Sequence, residues 1–409
     1  MHHDMTLSAA AMPQPPSDFA PDQSALADPA IATVAIPVAR FRDTRLDVFR
    51  GVALVMIYID HIWDNIWAGY TLQNYGFSDA AEAFVLIAGI SAGLAYGGFF
   101  GPGGNIAEGL RRVGRRVWLI YLVHILITML VLAGAAALAL WFNMPGLTEV
   151  NRIDVVLNDP LAFFLRMPLL TFHLDYADIL PMYIVLLAVA PLALWLAWRA
   201  PWPLLAASLI VWVITGTTKI NLPTLPREFG WYFDPFAWQL IFVIGLLVGV
   251  AWKVGRRLIA VKLWLLGPAI GILCFGLAVT QSETAGEWWH HQLYLAKKIG
   301  LPEVIYSTEK TYLSMQRLIH ALALAYVLSA FAWVKWICAS PLAAPFAVLG
   351  RHGLAVFAAG SVMAIVMQGI KTEYWRADPV LDGLMSGGGM LALLALALML
   401  DWPRRAGLR

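Results

Sequence analysis

From Val48 onward the chain repeats one pattern, an apolar run closed by a short polar break. A bilayer core about 30 Å thick needs about 20 apolar residues per helix. Lipid offers no partners to backbone N–H and C=O groups, so such runs span as helices. Ten runs fit: Val48–Ala68, Ala80–Phe100, Val117–Phe142, Ile179–Trp198, Pro203–Ile220, Ala237–Trp252, Leu263–Val279, Leu313–Val334, Phe346–Ile370 and Leu381–Leu400. The fifth to seventh are short, and a break in the ninth is expected near Gly350 or Gly360. Composition agrees: 60% of residues are hydrophobic, 13% are charged and the mean hydropathy is +0.70, outside the range of soluble domains. The expectation is an all-α, polytopic integral membrane protein of about ten transmembrane helices.

Residues 1–40 are rich in Ala, Pro, Ser, Asp and Gln without an apolar period, and read as a disordered cytoplasmic tail before a membrane domain at 41–409. No apolar stretch with a cleavage site precedes Arg40, so no secretory signal is expected. The adjacent His2 and His3 do not make a metal site. Cys274 and Cys338 both lie in apolar segments, which excludes a disulfide framework or a cysteine metal centre. A net charge of +2 points to no nucleic-acid partner.

Lys and Arg set orientation, because cytoplasmic loops are enriched in them. With the N-terminus inside, eighteen of the 28 fall on or near the cytoplasmic side, among them Arg111, Arg112, Arg115, Arg116, Lys253, Arg256, Arg257, Lys262, Arg404 and Arg405. Both termini are therefore expected in the cytoplasm. The long segments 143–178, 221–236 and 280–312, rich in Trp, Tyr, His and acids, then face outward. No inverted repeat, Arg-periodic helix or filter-like loop supports a transporter or channel.

Against this apolar background the polar residues stand out. The first run reads RLDVFRGVALVMIYIDHIWDN. From Val48 to His61 a helix rises about 20 Å at 1.5 Å per residue, which puts His61 in the outer half. Charge at that depth costs about 2.5–3.5 kcal/mol even on lenient scales. If the helix continues, Asp64 and Asn65 share the face of His61, and Asp60 points away from it. A carboxylate on one imidazole nitrogen raises the basicity of the other, as a general base requires. The competing reading is a polar cluster at a helix end. The second run opens FSDAAEAFVLIAG, where Asp79 and Glu82 lie one turn apart at a similar depth. Asp79 also reads as an N-cap, and Glu82 is favoured by the positive helix end.

Other features carry less. GISAG, Gly89 to Gly93, fits the serine-hydrolase pattern, but that motif needs a strand–turn–helix and here lies mid-helix; its small residues suit close helix packing. His124 and His320 read as hydrogen-bonded core groups. In TFHLDYADILPMY, His173, Asp175 and Asp178 lack a convincing fourth ligand, so an outer carbohydrate or proton site is expected rather than a metal. Trp288 and Trp289 suit a sugar-stacking platform or an interfacial aromatic belt equally well. RRVGRR, Arg111 to Arg116, serves topology and lipid headgroups by default, or clamps a phosphorylated ligand. Arg50 and Arg351, just inside the apolar boundary at the same level, each call for a partner.

RLDVFRGVALVMIYIDHI followed by GFSDAAEAFVLIAGISAGLAYG resembles the opening of the OpgC proteins, members of the transmembrane acyltransferase superfamily. TFHLDYADILPMYIVLL, MQRLIHALALAYV and LGRHGLAVF resemble later OpgC segments, with His352 departing from the pattern after Arg351. The resemblance implies a succinyltransferase of the bacterial inner membrane that decorates periplasmic glucans. Cytoplasmic succinyl-CoA would be the donor, with no tightly bound cofactor. It implies Arg50, Arg351 and the Arg111–Arg116 group as donor contacts. His61 would be the base supported by Asp60 or Asp64, with Asp79 and Glu82 beside it. The glucan would meet His173, Asp175, Asp178, Trp288 and Trp289 from outside. An O-acetyltransferase of another surface glycan shares this chemistry. A proton-coupled transporter or flippase, with Asp60, His61 and Glu82 as relay, is the alternative from another class.

Overall fold

The computed structural model describes residues 43–405, except 63, 143–152, 175–176, 225–229 and 375–377. The tail expected at 1–40 lies outside the described residues. Sixteen α-helices follow in order. They are α1 Thr44–Asp60, α2 Ala80–Phe100, α3 Ile106–Phe142, α4 Ile153–Asn158, α5 Pro160–Arg166, α6 Ile179–Arg199, α7 Pro201–Thr218 and α8 Pro235–Lys253. The second half holds α9 Leu263–Gln281, α10 Glu283–Lys298, α11 Glu303–Tyr306, α12 Met315–Ala330, α13 Ala332–Ala339, α14 Ala344–Arg351, α15 Gly353–Tyr374 and α16 Pro379–Arg405. The described regular structure is all-helical, as the apolar runs require.

Among the described residues eight helices are long and apolar enough to cross a membrane: α2, α3, α6, α7, α8, α9, α15 and α16. The pair α12–α13 makes a ninth if it counts as one span bent by 80°. The tenth expected span is α1, which has 17 residues and stops at Asp60 rather than Ala68. Of the two positions, the ninth run breaks beside Gly350: α14 ends at Arg351, His352 caps it, and α15 starts at Gly353 and runs unbroken through Gly360. Conversely, α3 begins at Ile106, so RRVGRR is a helical extension of its span rather than a loop.

Two contacts fix the centre of the bundle. The tightest is α2 on α8. A Cβ at Gly89 or Gly93 would strike the carbonyls of Phe242 or Leu246, and one at Gly245 or Gly249 those of Leu86 or Ile90. Both helices thus present a small-xxx-small stripe, so the backbones approach as only glycine allows. This is the role expected of GISAG. The second contact is α1 on α14, where Gly51 lies on the Phe346 carbonyl and Gly350 on that of Asp47. Because α1 and α2 run in opposite directions, the end of α1 and the start of α2 meet at one end of the bundle. The start of α1, the end of α2 and the start of α3 share the other.

Candidate active site

At the first of these ends α1 terminates on its own polar residues. The His61 N–H caps the helix on the Ile57 carbonyl at 3.1 Å, and the chain then turns through Asp64, at φ 53°. Asn65 starts a 3-10 helix, Ile66–Tyr70, by accepting the Trp67 N–H at 3.0 Å. The helix-face argument for Asp64 therefore does not hold. Apolar Ile66 and Trp67 prolong the hydrophobic pattern past the end of the helix, and the exposed Asp64 sits in a turn rather than one turn above His61. Asp60 accepts from Thr71 Oγ1 at 2.6 Å and Gln73 Nε2 at 3.1 Å, which hold its carboxylate at the foot of the turn.

Asp79 and Glu82 open α2 as a capping box. Asp79 Oδ1 accepts the Ala81 N–H at 2.7 Å, and Glu82 Oε2 accepts the Asp79 N–H at 2.8 Å. The cap expectation is met, yet each carboxylate also takes a cation. Lys310 Nζ lies 2.6 Å from Asp79 Oδ2, Arg317 Nη2 lies 2.8 Å from the same oxygen, and Arg317 Nε lies 2.6 Å from Glu82 Oε1. Glu82 is fully buried and Arg317 nearly so. Burial would raise the Asp79 pKa, but Lys310 and Arg317 hold it below the ordinary carboxylate range. Burial likewise opposes charge on Lys310, and Asp79 and Glu82 outweigh it, so its pKa rises. The Lys310 loop is pinned by Trp238, whose indole donates to the Lys310 carbonyl at 3.0 Å. His61 and Asp60 both lie within electrostatic reach of Asp79 and Lys310. The four sequence-chosen residues Asp60, His61, Asp79 and Glu82 thus converge, with two cations the sequence did not single out.

At the opposite end Arg50 Nη2 meets Ser91 Oγ at 2.5 Å, and Nη1 donates to the Gly350 carbonyl at 3.2 Å. Ser91 is a partner to this arginine, consistent with its rejection as a nucleophile. Arg351 lies 3.0 Å from the buried Asp401 of α16, which also meets His352 Nε2 at 3.2 Å. The arginines of α3 are different. Arg111 and Arg112 share Glu108 at 2.8 and 2.6 Å on an exposed face, Arg115 is exposed beside them, and Arg116 is half-buried. An apolar cavity of about 850 Å³ runs between α1, α2, α8, α12 and α13. Arg45 and Arg257 stand at one end of it, Leu72 and Asp79 at the other.

The expected acceptor contacts scatter. His173 and Asp178 are each 2% exposed, and His173 stacks edge-on against Trp231, 4.6 Å between centroids. Buried so, neither presents the outward-facing surface expected of an acceptor contact; Asp175 lies outside the described residues. On α10 Trp288 is exposed, while Trp289 packs on Phe275 of α9 and donates to Gln316 Oε1 of α12 at 3.2 Å. His320 is hydrogen-bonded as expected, 2.7 Å from Ser78 Oγ. His124 departs from expectation: it is fully buried, and among the described residues neither ring nitrogen has a hydrogen-bond partner. No group of three or more His, Cys, Asp or Glu among the described residues is arranged to hold a metal.

A family model described as OpgC protein matches residues 42–405, nearly the whole described chain. The chain belongs to the OpgC family. No curated protein and no solved structure matches it. OpgC membership supports an acyltransferase, and the long apolar helices a multi-pass membrane protein.

Proposed function

We propose that this OpgC-family protein moves a succinyl group from cytoplasmic succinyl-CoA to hydroxyls of a periplasmic glucan across the bacterial inner membrane. The observation that carries this reading is the separation of the two ends. His61 stands beside buried carboxylates and cations at one end, the arginines gather at the other, and the same bundle holds an apolar cavity bounded by Arg45 and Arg257 at one end and by Leu72 and Asp79 at the other. The nucleotide phosphates of the donor suit Arg111, Arg112, Arg115 and Arg116, with Arg50 and Arg351 held further in. The thioester would reach along the cavity toward Asp79, in whose electrostatic neighbourhood His61 lies.

In the reaction His61 takes the proton of a sugar hydroxyl while that oxygen attacks the thioester carbonyl. The carbon–sulfur bond of the tetrahedral intermediate breaks, the proton passes to the departing sulfur, and the products are a succinyl ester and free coenzyme A. Lys310, paired with Asp79 and within electrostatic reach of His61, would support the developing oxyanion. Asp60, held by Thr71 and Gln73, keeps negative charge near the imidazolium as it forms. Trp288 remains as an exposed outward contact for the glucan. The test is turnover by purified protein in detergent, following thioester loss and ester formation on glucan. Transfer from succinyl-CoA supports the assignment; transfer from acetyl-CoA alone moves it to an O-acetyltransferase, and no thioester loss to a transporter.

A further inference from the structure

The turn that carries His61 is held from the far end of the sequence. Asp64 adopts a left-handed backbone, which among L-residues Asp and Asn tolerate best, and the turn it makes is also held from outside. Lys371, in the last turn of α15 and 2% exposed, donates to the Asp64 carbonyl and lies 2.8 Å from Asp382 Oδ1. Asp382, in the first turn of α16 and fully buried, accepts the Ile66 N–H through Oδ2 at 3.0 Å. One turn further along α16, Ser386 Oγ accepts from Asn65 Nδ2 at 2.6 Å. Asp64, Asn65 and Ile66 are thus tied in succession to one pair of helix ends, a few residues from the imidazole.

A buried ion pair is poor evidence of stabilisation, because an apolar pair of similar volume is often as stable. What an apolar pair cannot supply is a donor for the Asp64 carbonyl together with an acceptor for the Ile66 N–H. We propose that Lys371 and Asp382 are positioning residues, an ion pair that fixes the turn after α1 and so the placement of His61. This rests on the reading of His61 as the base. Neither residue touches His61, so their effect is on its placement and not on the chemistry directly.

The double variant Lys371→Met/Asp382→Leu removes both ties and leaves no unpaired buried charge. It should purify and melt like the wild type. Since a displacement of about 1 Å at a reacting group can lower a rate 10²-fold, kcat should fall about 10–100-fold, with KM for succinyl-CoA within about twofold. Hydrogen exchange of the peptide spanning Asp60 to Tyr70 should accelerate, while that of α2 and α8 stays unchanged. A folded double variant with wild-type kcat and an unchanged turn overturns the proposal. If the double variant fails to fold, Ser386→Ala decides. That mild change loosens only the Asn65 tie and should lower kcat about three- to tenfold by the same argument from misplacement; wild-type kcat in a folded Ser386→Ala overturns the proposal. His61→Ala in the same assay separates the two claims. An inactive His61→Ala beside a fully active double variant sinks positioning alone, whereas an active His61→Ala sinks the base and the positioning together.

Discussion

Both ends of the bundle collect charge, but in opposite physical states. At the His61 end Arg317 meets a Glu82 with no exposure, and Asp79, Glu82, Lys310 and Arg317 each have an opposite charge within hydrogen-bond distance. At the arginine end Arg111 and Arg112 keep side-chain exposures of 58% and 50% and share one carboxylate. Buried pairs are screened little and fixed in place; exposed pairs are screened over about 8 Å at physiological salt and contribute little to stability. The first arrangement holds its side chains still. The second leaves cationic charge free to meet a mobile anion.

The largest effect should come from the imidazole. His61→Ala should cut transfer about 10²–10⁴-fold, the range for a general base, with unchanged extraction and melting, measured as ester formation on glucan. Retention of more than a few per cent of turnover would break the contrast at its functional pole.

Next comes Arg317. Arg317→Leu strands Glu82 and half of Asp79, and loss of one partner from a buried pair costs about 3–5 kcal/mol. Thermal unfolding in detergent should show a large drop, partly recovered by Arg317→Leu/Glu82→Leu. No drop would mean that the cluster is solvated, like the arginine end.

Much of this architecture is legible in the sequence, because a 20-residue apolar run has few ways to satisfy its backbone in lipid. The depth of Asp60 and His61, and the capping box of Asp79 and Glu82, are local patterns, and the structure brings all four together. The partners were not legible. Lys310 lies 231 positions from Asp79 and Arg317 lies 235 from Glu82, and no periodicity links residues so far apart. Arg317 left one sign, a charge just inside an apolar run; Lys371 and Asp382, at the rims of theirs, look like interface residues. Asp64 was misplaced for a related reason. Hydropathy sees Ile66 and Trp67 continue the run but cannot see the helix end at Asp60.

A smaller effect is expected at the exposed end. Replacing Arg111 with Arg112, or Arg115 with Arg116, by Gln should raise KM for the acyl-CoA several-fold and spare kcat, since phosphate contacts contribute mostly uniform binding. The increase should shrink at high salt. An unchanged KM in both pairs would return these arginines to topology alone.

The smallest effect is in pH. The lowered Asp79 pKa contributes stability that is present above the unfolded value of about 3.9 and lost as pH falls through the folded value. The raised Lys310 pKa contributes stability present below about 10.4 and lost as pH rises through its folded value. The pair should therefore stay ionised throughout the neutral range. The melting temperature of Lys310→Met should run parallel to that of the wild type between about pH 5 and 9, and a divergence there would assign titration to this pair.

The division of labour between the ends is tested most directly by sidedness. In proteoliposomes of one orientation, succinyl-CoA is supplied on the face bearing Arg111 to Arg116 and glucan on the other. The account predicts thioester loss on the first face and, on the second, a ladder of progressively more anionic glucans on ion exchange, one added charge per succinyl half-ester. Supplying the donor on the glucan face instead should give no product. Efficient transfer with both substrates confined to the arginine face would contradict it.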